Sequence, residues 1–279
     1  MKFKLTTSSG SPHEAYAYTG GKTFDPKLPT LVFIHGVLND HSVWILQSRY
    51  LAHHGFNVLA VDLPGHGRSG GEAPSSVEEA AQFIEALLDA AGVTQASLIG
   101  HSWGSLIALE AAARLKERIT HLALVGTAFP MKVSPALIEA SLNKPLQALQ
   151  MVNVFSRATL AAPPSALGPG TWVYGASMAL GRRVLASNPH VNIFHRGFVA
   201  CDSYAHGLEA IAAITCPVLF VLGEQDQMTP PRAAKSLIDH AKACDKHVQV
   251  IQVPAGHHQM SESPEETLKA LTAFFMPER

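Results

Sequence analysis

Short apolar runs alternate with stretches of helical periodicity through the first half of the chain and again near its end. The run Thr30-Leu31-Val32-Phe33-Ile34, ending in His35-Gly36, predicts a strand buried on both faces. Ser42 to His53 carries apolar Trp44, Ile45, Leu51 and Ala52 and is stopped by Gly55, which predicts a helix. Asn57 to Val61 predicts a second strand, followed by the loop Asp62-Leu63-Pro64-Gly65-His66-Gly67-Arg68-Ser69-Gly70-Gly71, whose glycine density forbids regular structure. Ser76 with Glu79 three residues on predicts a capping box for a helix from Val77 to Ala91 that turns Phe83, Leu87 and Leu88 to the sheet. A strand over Ala96 to Ile99, a helix to about Leu115 and a strand from His121 to Gly126 continue the rhythm.

Before this region, Phe3 to Thr7 and Ala15 to Thr19 predict two antiparallel strands joined by a polar turn at Ser8 to Pro12, and Asp25-Pro26 with Leu28-Pro29 predicts an extended loop. Strand–helix alternation from 30 to 126 implies right-handed crossovers and a mostly parallel central sheet flanked by helices, an α/β fold. From Met131 to about Tyr204 the alternation stops. Helix-like segments are there broken by Pro135, Pro145, Pro163, Pro164, Pro169, Gly175, Gly181 and Pro189, so an inserted helical lid over residues 130–205 is expected within a core of 1–129 and 206–279. The rhythm returns with a strand over Cys216 to Gly223 that opens at Pro217, a helix from Pro231 to His240, a strand from Val248 to Val253 and a helix from Pro264 to Phe275.

Composition narrows the function classes. The 279 residues are 47% hydrophobic and 15% charged, the balance of a globular chain rather than a disordered one. A formal net charge of −1 without a basic block argues against nucleic acid as a partner. Met1 to Ser8 lacks the apolar run of a signal peptide and no stretch approaches the roughly 18 apolar residues of a membrane span, so a cytoplasmic location with no membrane partner is expected. Cys201, Cys216 and Cys244 have no metal-ligand spacing and read as bystander thiols, and the fifteen histidines are scattered. No G-x-G-x-x-G follows the first strand, and Gly65 to Ser69 lacks the Lys-Ser/Thr of a phosphate-binding loop, so neither cofactor nor metal is expected.

The candidate chemistry centres on Gly100-His101-Ser102-Trp103-Gly104, set between an apolar strand and a helix. G-x-S-x-G in that setting is a nucleophile elbow, a strained turn that exposes the serine hydroxyl at the edge of a sheet. Gly100 and Gly104 fit because a side chain at either position crowds the turn. Such a serine needs a base, an acid that orients the base, and donors for an oxyanion. Trp103 packs either near the pocket or in the core.

With His35-Gly36, Gly65-His66-Gly67-Arg68-Ser69, the elbow, Gly223-Glu224-Gln225-Asp226 and Gly256-His257 in this order, each after an expected strand, the chain resembles the α/β-hydrolase family over nearly all its length outside the lid. The resemblance implies Ser102 as nucleophile, His257 as base and Asp226 as the orienting acid, with His258 the rival base and Glu224 and Asp202 the rival acids. It implies an oxyanion hole made by the backbone N–H groups of Val37 and Trp103, and makes the Gly65–Ser69 loop structural, with Arg68 bonding inward and His258 pointing away.

A serine in the elbow argues against the aspartate-dependent dehalogenases and epoxide hydrolases. The elbow is similar to that of proline iminopeptidases, but those enzymes hold the substrate amine with lid carboxylates, and here the lid acids are only Glu139 and Asp202, against Lys132, Lys144, Arg157, Arg182, Arg183 and Arg196. An acidic or neutral substrate suits that balance better. Gly104-Ser105 departs from the Gly-Gly usual in C–C bond hydrolases. The expected activity is hydrolysis of a small, partly apolar carboxylic ester or thioester, with C–C bond or peptide hydrolysis as alternatives and a small-molecule receptor as the alternative of another class. The oligomeric state is not legible.

Overall fold

The computed structural model describes residues 1–6, 12–25, 27–158 and 172–276. Most of the expected turn between the first two strands, together with Pro26, Pro163, Pro164 and Pro169, lies outside them. Among the described residues eight strands form one sheet: β1 (Lys2–Thr6), β2 (Pro12–Tyr18), β3 (Thr30–Ile34), β4 (Asn57–Val61), β5 (Ala96–His101), β6 (Ile119–Val125), β7 (Val218–Gly223) and β8 (Val248–Val253), in the order β1-β2-β4-β3-β5-β6-β7-β8. β1 and β2 are antiparallel to each other, β2 is antiparallel to β4, and the remaining pairs are parallel. In-register pairs such as Ile34 with Gly100 and Gly100 with Leu124 align the carboxyl ends of β3, β5 and β6.

Continuous apolar runs become strands here because both faces are covered. β3, β4, β5 and β7 are buried at every residue, and their alternate side chains fall into two different cores. Val32, Ile34, Leu98 and Phe220 pack with α2 (Val77–Ala90), α3 (Trp103–Leu115), α8 (Gly207–Ala213) and α9 (Lys235–Ala243). Leu31, Phe33, Ile99 and Val221 face the other way, onto Trp44, α1 (Ile45–Ala52) and α11 (Pro264–Phe275). Four consecutive exposed residues of β8, Gln249 to Gln252, mark the sheet's edge.

Between β6 and β7 lie α4 (Pro135–Asn143), α5 (Pro145–Ser156), α6 (Val173–Ala186) and α7 (Ile193–Ser203). They share a smaller apolar cluster that includes Leu137, Leu149, Met178, Val184, Phe194 and Phe198, joined to the rest by Leu38 of the loop after β3.

Several boundaries differ from the sequence expectation for local reasons. The helix expected from Ser42 opens as a 3₁₀ turn, His41–Trp44, capped by Asp40, and becomes α-helical only at Ile45; the Pro231 helix likewise starts as a 3₁₀ turn before α9. Pro217, having no N–H to give the ladder, precedes β7, and its carbonyl accepts from Leu122 instead. The capping box is displaced: the Ser76 hydroxyl accepts the Glu79 N–H, but the Glu79 carboxylate reaches back to Ser75, at 2.7 Å from its N–H. Periodicity missed α8 and α10 (Gln259–Glu262), which are too short to carry a signal. Cys201 and Cys216 are buried free thiols. No helix among the described residues is long and apolar enough to cross a membrane.

The chain runs from β3 to β4 on one side and returns to place β5 on the other side of β3. That reversal opens a crevice beyond the carboxyl ends of β3 and β5, where open α/β sheets hold ligands. The loop after β3 and the serine after β5 both border it.

Candidate functional site

Ser102 sits between the end of β5 and the start of α3 with φ 53° and ψ −121°, a left-handed φ that costs a residue with a Cβ energy. The surroundings hold it there. Its N–H donates to the Val125 carbonyl at 3.0 Å, and its carbonyl accepts the Ser105 N–H at 2.8 Å and the Ser105 hydroxyl at 2.5 Å. A Cβ on Gly100 collides with the Gly104 carbonyl, and one on Gly104 collides with the carbonyls of Ile34 and His35, so both glycines are required by the approach of α3 to the sheet. Trp103 is 1% exposed and belongs to the main core, which decides between its two expected roles.

Asp226 lies three residues beyond β7, in a turn that donates to it. Its Oδ1 accepts the N–H groups of Met228 and Thr229, both at 2.8 Å, and its Oδ2 lies 2.8 Å from His257 Nδ1. The Thr229 hydroxyl bridges the pair, 2.8 Å from Asp226 Oδ2 and 3.0 Å from His257 Nδ1. Burial opposes the charge on Asp226, but the imidazole and the Thr229 donors outweigh it and hold the carboxyl well below the usual carboxylate range. The rivals are elsewhere: Glu224 is exposed, and the Asp202 carboxylate accepts the Val133 N–H at 3.0 Å.

Two neighbours fix the His257 backbone. Its N–H donates to the Ser156 carbonyl at 2.6 Å, and its carbonyl accepts from His101 Nε2 at 2.7 Å. His101 and His66 are fully buried; burial chiefly, with His257 and His35 respectively adding to it, pushes each down to about 3. An unfolded histidine takes a proton near 6.5, so between those values the unfolded chain binds more protons, and stability complete above about pH 6.5 drains as the pH falls toward 3. Thermal melts at pH 7, 6 and 5 are expected to show a Tm that falls before most carboxylates titrate; a flat Tm over that range contradicts it.

After β3, His35 donates from Nδ1 to the Gly36 carbonyl at 2.8 Å and accepts the Leu63 N–H on Nε2 at 3.1 Å, which pins the turn Gly36–Asn39. Among the described residues the backbone N–H groups of Val37 and Trp103 are committed to no other acceptor. Val37, Ser102 and His257 all border a cavity of about 480 Å³ and a second of about 270 Å³, so the serine stands at their junction. The first also reaches Asn39, Arg157 and Met260; the second reaches Met131, Leu137 and Phe155. The Ser102 hydroxyl has no hydrogen-bond partner among the described residues, and serine–imidazole bonds of unliganded sites commonly close only on substrate.

Two expectations are corrected. His258 does not point away: it lines the larger cavity, where burial and the Arg157 charge hold it neutral. Arg68 does not bond inward. It is exposed, donates to the Tyr16 hydroxyl at 2.9 Å and lies over that ring, because Asp62 takes its backbone N–H while the Ser69 hydroxyl turns in to the Asp62 carbonyl. Every N–H from Gly65 to Ser69 is spent within the protein, including Gly67 on the Ser187 hydroxyl, so the loop has no donors to offer a phosphate.

One group among the described residues, Asp40, His41 and Asp62, has its oxygens and nitrogen close enough to hold a metal ion. Protein donors already occupy it. Asp62 accepts from the His41 ring and backbone and from Arg68, and Asp40 accepts from Ser42 and Arg183. The cluster ties the loop after β3 to α6.

Residues 29–264 match the model of the alpha/beta hydrolase fold family. The chain belongs to that family. This α/β-hydrolase-fold chain is 25% identical over 249 residues to the dihydrolipoyllysine-residue acetyltransferase component of the acetoin cleaving system of Pseudomonas putida, covering 88% of the chain and 62% of that protein. It is 32% identical over 127 residues to the lipase LipV of Mycobacterium tuberculosis, covering 44% of the chain and 47% of the lipase. The chain thus spans less than two thirds of the length of either relative. Among solved structures, an esterase from Exiguobacterium antarcticum superposes with a TM-score of 0.80 at 18% identity, covering 98% of the chain and 99% of the esterase, which shows the shared fold.

Proposed function

We propose that this α/β hydrolase is a serine hydrolase that cleaves a carboxylic ester or thioester of a small, partly apolar substrate through an acyl-enzyme on Ser102. The observation that carries it is the Asp226–His257 hydrogen bond beside a serine held at φ 53° on the same cavity walls. With Asp226 accepting at Nδ1, the imidazole carries its proton there and leaves Nε2 free to take the serine proton as Ser102 Oγ attacks the carbonyl carbon. The tetrahedral oxyanion is met by the Val37 and Trp103 N–H groups, the second aided by its place at the head of α3. His257 then returns its proton to the leaving alcohol or thiol. Water activated by His257 releases the acid and frees the serine.

Residues 130–205 act as a lid over this machinery, with 1–129 and 206–279 as its core. Leu137, Met151, Phe155 and Phe198 from the lid line one or both cavities and supply apolar contact for acyl or alcohol groups. The lipase and esterase among the relatives and neighbours fit this reading. A proline-iminopeptidase-like activity is disfavoured because neither lid acid, Glu139 nor Asp202, lines a cavity.

A burst-phase assay with p-nitrophenyl acetate and butyrate tests the proposal. The expected trace releases about one equivalent of p-nitrophenol per chain and then settles to steady turnover. Phosphonate labelling of Ser102 without turnover of either ester would instead point to a small-molecule receptor.

A further inference from the structure

Ester hydrolysis at Ser102 does not require a cation in the cavity, yet the larger cavity has one built into its wall. Arg157 follows the last residue of α5, immediately after the Ser156 carbonyl that holds the His257 N–H. Arg157 is among the residues that line the same 480 Å³ space as Ser102 and His257. Nη2 donates to the Ser177 hydroxyl of α6 at 2.6 Å, while Nε is shut off from solvent and has no hydrogen-bond partner among the described residues. A guanidinium carries five donors in a planar fork, and Ser177 takes only one of them.

The other cation on this cavity is already engaged. Arg183 forms an ion pair with Asp40 at 2.6 Å and its side chain is 62% exposed, so its charge is spent at the rim. Arg157 has no carboxylate within ion-pair distance among the described residues; Glu262, which lines the same cavity, offsets part of its charge, and its carboxylate is held by the N–H groups of Ala158 at 2.8 Å and His258 at 3.2 Å. A guanidinium in the wall of a confined space favours an anion, and a carboxylate is the one it fits two bonds at a time.

Building on the acyl-enzyme reading, we propose that Arg157 determines specificity by binding a carboxylate on the substrate, so that the preferred esters are monoanions, either half-esters of a dicarboxylic acid or esters of a hydroxy acid. The cavity has the volume for the anionic arm together with the reacting ester.

Two isosteric pairs test this. p-Nitrophenyl hydrogen glutarate against p-nitrophenyl 5-methylhexanoate places the anion on the acyl side; 4-acetoxybenzoate against 4-isopropylphenyl acetate places it on the alcohol side. The unmutated enzyme is expected to favour the anionic member of at least one pair by about 10- to 100-fold in kcat/KM, the range for hydrogen bonds to charged groups. Arg157→Gln should erase that ratio by raising KM for the anionic ester while kcat for the neutral one stays within a few-fold. Arg157→Lys should restore part of it, and Arg183→Gln should leave it intact. Should Arg157→Gln fail to fold, 3-phenylpropanoate must still inhibit the unmutated enzyme more tightly than its primary amide. A preference for the neutral member of both pairs, an unchanged ratio in Arg157→Gln, or a ratio erased by Arg183→Gln instead overturns the proposal. Failure of the underlying reading looks different, since neither member of any pair would then react through Ser102.

Discussion

Replacement of Ser102 by alanine is expected to lower kcat by at least about 10⁵-fold, the scale on which a serine hydrolase depends on its nucleophile. Alanine keeps the Cβ and loses only Oγ, an atom without a partner among the described residues, so the bonds from the Ser102 N–H and carbonyl that hold the elbow remain. The Tm should therefore stay within a degree or two of the parent. Glycine at the same position separates strain from chemistry. It should be equally inactive but more stable, because φ 53° suits glycine; relief of about 1 kcal/mol corresponds to a rise in Tm of roughly 2–4 °C. Activity surviving in either variant would rule out Ser102 as nucleophile, and a large drop in the Tm of the alanine variant would show that the hydroxyl is structural.

Asp226→Asn should lower kcat by on the order of 10³–10⁴ with little loss of folded protein. The size of the effect follows from how the amide must sit. Oδ1 of Asp226 accepts two N–H donors, from Met228 and Thr229, so the asparagine oxygen is forced into that position and its NH₂ is turned to His257 Nδ1. The imidazole then has to accept at Nδ1, which moves its proton to Nε2, where it blocks removal of the serine proton. Only Thr229, 3.0 Å from Nδ1, remains to accept from the productive tautomer. Steady-state kinetics on a p-nitrophenyl ester measures the loss; a drop below about tenfold would mean that Asp226 does not set the tautomer.

Much of this was legible before any coordinates, for reasons that differ from element to element. β3, β4, β5 and β7 were readable because a strand buried on both faces is mostly apolar along its length. Ser102 was readable because the strained turn requires Gly100 and Gly104, whose absent side chains the Gly104, Ile34 and His35 carbonyls fill. The hydrogen bond between Asp226 and His257 spans 31 residues and came from family resemblance rather than local pattern. Thr229, which bridges that pair, and His101, which grips the His257 carbonyl, were not assigned these tasks: a hydroxyl three residues past an acid and a histidine before a serine have too many other uses. Arg157 stood among six cations of the expected lid with nothing to single it out. Its distinction is the company it keeps, the Ser177 hydroxyl and the wall of the cavity, and that emerges only when α5 and α6 pack. Arg68 was misread because its loop's glycines suggest inward bonding, whereas Ser69 takes the inward place.

The most direct measurement on the central claim is the mass of the intact chain after treatment with a fluorophosphonate, followed by peptide mapping. A single adduct on Ser102, formed in step with the loss of p-nitrophenyl ester turnover and absent after Asp226→Asn on the same timescale, is the expected result. An adduct on another residue, or full turnover persisting in chains whose Ser102 is labelled, would contradict the acyl-enzyme mechanism.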